Sequence, residues 1–152
     1  MIEPHAHVVR FSEVDAAGVA FYSRFFEWCH HAWEELLGAA LGRWFAAMKA
    51  DGWGLPVVHA GADYRRPVRL GDRLRIRLDA ITLTQAGDRG RLRVRFAVEG
   101  ADDVLHALVE HEHAFVDLGR FRPIAAPADF IARLEALGIA VAREGGEEPG
   151  AE

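Results

Sequence analysis

Asp15 stands in the run Phe11-Ser12-Glu13-Val14-Asp15-Ala16-Ala17-Gly18-Val19-Ala20-Phe21-Tyr22, among small and apolar residues just ahead of a helical pattern. A carboxylate held in such a loop can act as nucleophile or general base. Backbone N–H groups at a helix start can stabilise the oxyanion that forms when a carbonyl is attacked. The two together point to acyl transfer. A solvated loop aspartate ahead of an ordinary helix is the plain alternative.

Other side chains invite metal or phosphate chemistry. His111 and His113 stand two apart in a strand pattern and share a face, a spacing that metal sites use. Glu110 and Glu112 then point the other way. The spacing implies no third ligand, so no metal site is expected. His30 and His31 are adjacent on a helix, about 100° apart, and do not make a metal pair.

Charge is unevenly spread over a net −5. Between Tyr64 and Phe96 ten arginines face three acids, Asp72, Asp79 and Asp88, whereas residues 97–152 carry twelve acids. A basic middle in an acidic chain suggests a phosphate-bearing ligand rather than bulk nucleic acid. The competing reading is structural. Arg73, Arg75 and Arg77 alternate with Leu74, Ile76 and Leu78, and Arg91, Arg93 and Arg95 with Leu92, Val94 and Phe96. That is the pattern of two half-buried strands with a polar outer face.

These groups must be positioned by a fold. A chain of 152 residues fits one domain, and with half its residues hydrophobic it can bury a sizeable core. No run of 18 apolar residues and no signal pattern appears, so no membrane partner is expected. A single cysteine, Cys29, fits a reducing, cytoplasmic setting. The patterns predict a strand over His5–Phe11, a turn over Gly18–Ser23 and a helix over Arg24–Leu41 with Ser23 as N-cap. The helix stripe is Phe25, Cys29, Trp33, Leu36, Leu37 and Leu41. A short helical turn follows at Arg43–Lys49. Strands are predicted over Leu55–Pro67, Arg73–Thr84, Arg91–Glu99 and Val104–Leu118, with a hairpin loop at Gln85–Gly90. A short helix spans Pro127–Leu137. Residues 1–142 read as the domain, and Arg143–Glu152, rich in Gly, Glu and Pro, as a disordered tail. The order β–α–β–β–β–β makes an α+β fold with an antiparallel sheet. One long helix covers one face of that sheet, which leaves apolar surface for a second subunit.

The chain resembles the hotdog-fold acyl-CoA thioesterases of the 4-hydroxybenzoyl-CoA thioesterase-like group, in which an antiparallel sheet wraps one long central helix. The matching residues are Asp15-Ala16-Ala17-Gly18-Val19-Ala20-Phe21-Tyr22, preceded by Val9-Arg10-Phe11, then Asp63-Tyr64-Arg65-Arg66-Pro67-Val68 and Leu70-Gly71-Asp72. Pro56-Val57-Val58-His59-Ala60 with Cys29-His30 is more similar to the 1,4-dihydroxy-2-naphthoyl-CoA thioesterase branch. The resemblance implies hydrolysis of a coenzyme A thioester, with no cofactor and no metal. It makes Asp15 the catalytic carboxylate, attacking directly or through water. Tyr22 supplies the backbone N–H to the thioester oxygen, and Gly18 makes the tight turn beside the substrate. A related branch places a catalytic Glu on the helix, where Glu27 and Glu34 are candidates. His59 and aromatic residues such as Phe21 are expected along an aryl pocket. Arg65, Arg66, Arg89 and Arg91, at turns and strand ends, are expected to meet the coenzyme phosphates. The resemblance also implies a homodimer with two interfacial sites, often paired into a tetramer. A non-catalytic acyl-CoA-binding or scaffold protein of the same fold is the alternative.

Overall fold

Alternation and helical periodicity act locally, and they account for most elements of the structure, a computed structural model that describes residues 2–145. The centre is a long antiparallel hairpin, β4 (Arg73–Ala86) and β5 (Arg89–Glu99). The predicted six-residue loop shrinks to Gly87 and Asp88, because pairing continues from Gln85–Gly90 to Ala86–Arg89. β6 (Leu105–Ala114) pairs with β5, and β3 (Val57–Tyr64) pairs with β6, both antiparallel. β1 (His5–Val8) adds to the start of β4, giving the order β1-β4-β5-β6-β3. A small second sheet joins β2 (Trp53–Gly54), β7 (Val116–Asp117) and β8 (Arg122–Pro123).

Some boundaries differ from the prediction. The first strand stops at Val8, and Phe11–Glu13 form a 3-10 turn. The predicted tail is shorter at its start. Residues 143–145 belong to β9 (Val141–Gly145), which runs parallel to the second half of β4. Arg143 also pairs with Glu135 at 2.9 Å. Residues 146–152 of that tail lie outside the described residues.

The outer sheet face carries the arginines. Arg77 meets Glu99 at 2.8 Å, Arg95 meets Asp79 at 2.7 Å, Arg91 meets Glu112 at 3.4 Å and Arg93 meets Glu110 at 3.8 Å; Arg75 pairs with Asp103. Much of the basic middle is therefore an ion-paired face, worth little per exposed pair. A β-bulge at Asp79 inverts the parity of β4. Leu74 and Ile76 point inward before it, Ile81 and Leu83 after it. The bulge turns the Asp79 carboxylate to Arg77 and Arg95.

Helix α1 (Arg24–Leu41) has the predicted bounds and packs on the inner face. It buries Phe25, Trp28, Cys29, Trp33, Leu36 and Leu37 against Ile76, Leu92, Val94, Phe96 and Val98. Burial pushes the Cys29 thiol up, so it stays protonated. Ser23 precedes the helix but makes no side-chain cap; its backbone is already helical. α1 is not the sole helix. α2 (Trp44–Asp51) and α3 (Ala128–Ala136) flank it, and α3 seats Phe130, Ile131 and Leu134 in the core. No helix among the described residues is long and apolar enough to cross a membrane.

Candidate active site

The loop between β1 and α1 is tied down at both ends. Val14 bridges Ala20, Val19 bridges Arg69, and the Ala20 N–H donates to Val68 O at 2.7 Å. Between them the chain turns at Gly18, whose φ of +74° suits glycine. The Asp15 carboxylate accepts the N–H groups of Ala17 at 2.9 Å and Val19 at 3.3 Å. Those bonds fix the side chain in the turn and leave its second oxygen free of intrachain partners among the described residues. Asp15 is exposed in the protomer rather than enclosed by apolar walls. The loop's small residues admit solvent on that side.

Glu13, which sequence reasoning passed over, is the anchor of this loop. It is only 8% exposed. Its carboxylate accepts the Trp28 indole N–H at 2.5 Å, the Arg10 N–H at 2.8 Å and the His7 Nε2 at 2.8 Å. It thus joins β1, the loop and α1. Burial pushes its pKa up, but the bonds from Trp28, Arg10 and His7 outweigh burial and hold it below the ordinary value. An acid two residues before Asp15, inside an otherwise apolar run, was the available signal.

Two pinned groups flank the Tyr22 N–H. The Phe21 N–H donates to Glu13 O at 2.9 Å, and Tyr22 O accepts the Tyr64 hydroxyl at 2.6 Å. Tyr64 was also missed as a site residue. Its ring packs edge-on against Phe25 at 5.0 Å, and burial, with Tyr22 and Cys29 nearby, raises its pKa, so it remains a donor. The Tyr22 N–H itself has no partner among the described residues. Its side chain, 62% exposed, contacts Phe21, 50% exposed, with ring centres 4.9 Å apart.

A cavity of about 320 Å³ opens here, bordered by Val19, Tyr22, Phe25, Tyr64, Arg65 and Arg66. Arg65 is paired with Asp63 at 2.7 Å, while Arg66 has no ion pair among the described residues. Arg89 and Arg91 are not brought to this cavity. Tyr64 lies opposite Ala107 and Arg91 opposite Ala114 on β6. Those register positions lie seven residues apart along β6, about 23 Å at about 3.3 Å per residue. His59 is exposed on the edge strand β3, beside exposed Val57 and Val58. Glu27 is tied to Arg24 at 3.0 Å and Glu34 lies 3.4 Å from His30.

His111 and His113 do share one face, turned inward against α1. His111 borders a second cavity of about 340 Å³ with Phe26, Glu27, His30, Val57 and Ala60. Burial, then the neighbouring His113 and His30, pull the His111 pKa down to about 4, so it is neutral at pH 7. No cluster of three or more His, Cys, Asp or Glu side chains among the described residues could hold a metal ion.

An antiparallel sheet packed on a long helix is the arrangement of the hotdog fold. The chain belongs to the thioesterase-like superfamily, whose family model matches residues 9–134. It is 40% identical over 111 residues to a 1,4-dihydroxy-2-naphthoyl-CoA hydrolase of Synechococcus sp. strain CC9311, covering 68% of this chain and 70% of that protein. With the protein of the same description from strain CC9605 it shares 46% identity over 78 residues, 48% of this chain and 52% of that relative. The match thus spans about half of that relative's length. The crystal structure of a 1,4-dihydroxy-2-naphthoyl-CoA thioesterase from Synechocystis superposes with a TM-score of 0.75 at 25% identity, over 91% of this chain and 98% of that one.

Proposed function

We propose that the chain hydrolyses a coenzyme A thioester of a hydroxylated aromatic acid, of the 4-hydroxybenzoyl or 1,4-dihydroxy-2-naphthoyl kind, in the cytoplasm. The observation that carries the reading is the Asp15 carboxylate, fixed in the turn that leads into α1 with one oxygen unpartnered among the described residues, together with the unpartnered Tyr22 N–H just ahead of the helix. The carbonyl oxygen of the thioester takes the Tyr22 N–H. A free oxygen of Asp15 then adds to the carbonyl carbon, and negative charge collects on the oxygen held at the helix start. Collapse breaks the C–S bond, and coenzyme A leaves as thiolate. Water hydrolyses the resulting mixed anhydride and regenerates the carboxylate. In the other route Asp15 takes a proton from water, and that water attacks. A single turnover in 18O-water separates them, since only the anhydride route can place label in Asp15.

The names of the relatives support the aromatic acyl group, and so does the Phe26, His30 and His111 cavity, which lies along the first half of α1. Arg66 and Arg65 are the phosphate partners we assign to the cavity beside Tyr22. Arg89 and Arg91 serve the same ligand only across a subunit boundary. The exposed β3 edge with Val57, Val58 and Tyr64, and the exposed Phe21, support a homodimer, with the sheet wrapping α1 in each copy and dimers able to pair. We take the chain as one catalytic domain that runs past the expected end at 142 to include β9. Light scattering at micromolar concentration should report a dimer or tetramer, and a monomer would contradict the assembly. The activity is tested by thiol release from aromatic, short-chain and long-chain acyl-CoAs. Turnover led by hydroxylated aromatic substrates is expected; no turnover on any would leave only the binding or scaffold alternative.

A further inference from the structure

The first turn of α1 is built without the usual cap, because Ser23 makes no side-chain capping bond. The Arg24 N–H donates to Phe21 O at 2.9 Å, and the Phe26 N–H to Ser23 O at 3.2 Å. Tyr22 O, between those two carbonyls in the chain, accepts a side chain from outside the helix, the Tyr64 hydroxyl at 2.6 Å. Tyr64 is the last residue of β3, forty-two positions away. The backbone just past it is held, since the Arg65 and Arg66 N–H groups both donate to His106 O, at 2.8 and 3.1 Å. Its ring packs edge-on to Phe25. The hydroxyl therefore reaches Tyr22 from a fixed base.

That bond bears on the donor that faces the thioester. The peptide joining Phe21 and Tyr22 is trans, so its N–H points opposite to its C=O. The Phe21 C=O is turned into the helix, toward the Arg24 N–H, and the Tyr22 N–H is therefore turned out of the helix start. Its direction depends on the torsions about the Tyr22 Cα. Arg24 holds the peptide before that Cα, and Tyr64 holds the peptide after it. A phenol has one proton, and here it is committed to Tyr22 O. Burial raises the Tyr64 pKa, so that proton stays in place at neutral pH. The hydroxyl is thus a brace rather than a donor to substrate. We infer that Tyr64 is a positioning residue of the reaction, its hydroxyl keeping the Tyr22 N–H aimed at the thioester oxygen. The inference rests on the proposed function, in which that N–H meets the developing negative charge.

Tyr64→Phe tests it, since it keeps the ring against Phe25 and removes only the hydroxyl. Losing an oxyanion donor outright costs on the order of 10²-fold in kcat, and loosening one costs part of that. Acyl-CoA hydrolysis by the variant should show kcat lowered about tenfold with KM nearly unchanged, because the bond matters most once charge has formed. The factor should be the same for aromatic and aliphatic acyl groups, which share the oxyanion. Amide 15N relaxation reads the turn without turnover. The Tyr22 and Ser23 order parameters should stand at about 0.85 in the parent and drop toward about 0.6 in the variant, with mid-helix Leu36 unchanged. Parent-like kcat in the variant would overturn the inference. So would a raised KM at unchanged kcat, which would make Tyr64 a substrate contact, or a lowered kcat with unchanged order parameters, which would put the hydroxyl on the reacting atoms. A parent that turns over no acyl-CoA would sink the proposed function, and a drop in the order parameters would still show Tyr64 holding the turn.

Discussion

Lowering the pH from 7 to 5 should destabilise the protein through His111. The residue is 4% exposed and faces the rings of Phe26, Phe96, His30 and His113 at 6.0–6.5 Å. In the unfolded chain it titrates near 6.5, in the folded protein at about 4. Between those values the unfolded chain binds more protons, so stability rises with pH there. His111 thus contributes fully above about pH 6.5, and the contribution is lost as pH falls toward 4. The gap between 6.5 and about 4, at about 1.36 kcal/mol per pH unit, amounts to about 3 kcal/mol, of which about 2 kcal/mol falls between pH 7 and 5. His113, also lowered by burial, acts with the same sign. Glu13 is lowered too, but a carboxylate's loss comes below its ordinary 4.5, outside the window. Urea unfolding of the parent and of His111→Phe at pH 7 and 5 measures the effect. The variant should lose about 2 kcal/mol less than the parent on acidification. An equal loss in both would refute the argument, whatever the absolute stabilities.

Asp15→Asn keeps size and removes the charge, so kcat should fall at least ~10²-fold with an unchanged melting temperature; near-parent turnover would shift attention to Glu27 or Glu34. Glu13→Ala strands the buried Trp28 indole N–H and removes the partner of the part-buried Arg10 N–H, and should cost about 2 kcal/mol in urea unfolding, whereas Glu13→Gln, which still accepts, should cost less. Arg66→Ala should raise KM for acyl-CoA more than it lowers kcat, and the effect should vanish with an acyl-pantetheine. Arg89→Ala and Arg91→Ala should do the same only if a second subunit carries them to the site, so no KM change there would confine the phosphates to the Arg65 and Arg66 side.

What one sequence determines is periodic and local. The stripe Phe25, Cys29, Trp33, Leu36 and Leu37 was enough to bound α1 at Arg24 and Leu41, because side chains three or four apart share a helix face. Alternating arginines marked β4 and β5 and announced their ion-paired outer face. The motif around Asp15 and Gly18 was legible for the same reason: its turn closes within five residues, through the Ala17 and Val19 N–H groups. The tertiary structure decided what depends on distant partners. The bulge at Asp79 reverses which residues of β4 face the core, and Arg95, sixteen positions away, is what receives the displaced carboxylate. Trp28 and His7 make Glu13 an anchor, and β6 pairing separates Arg65 and Arg66 from Arg89 and Arg91. Leu55, fifty-eight positions from His113, decides which ring nitrogen is left without a proton. Such contacts leave no period in the chain, because they are set by long-range pairing whose geometry exists only once the sheet has closed on α1.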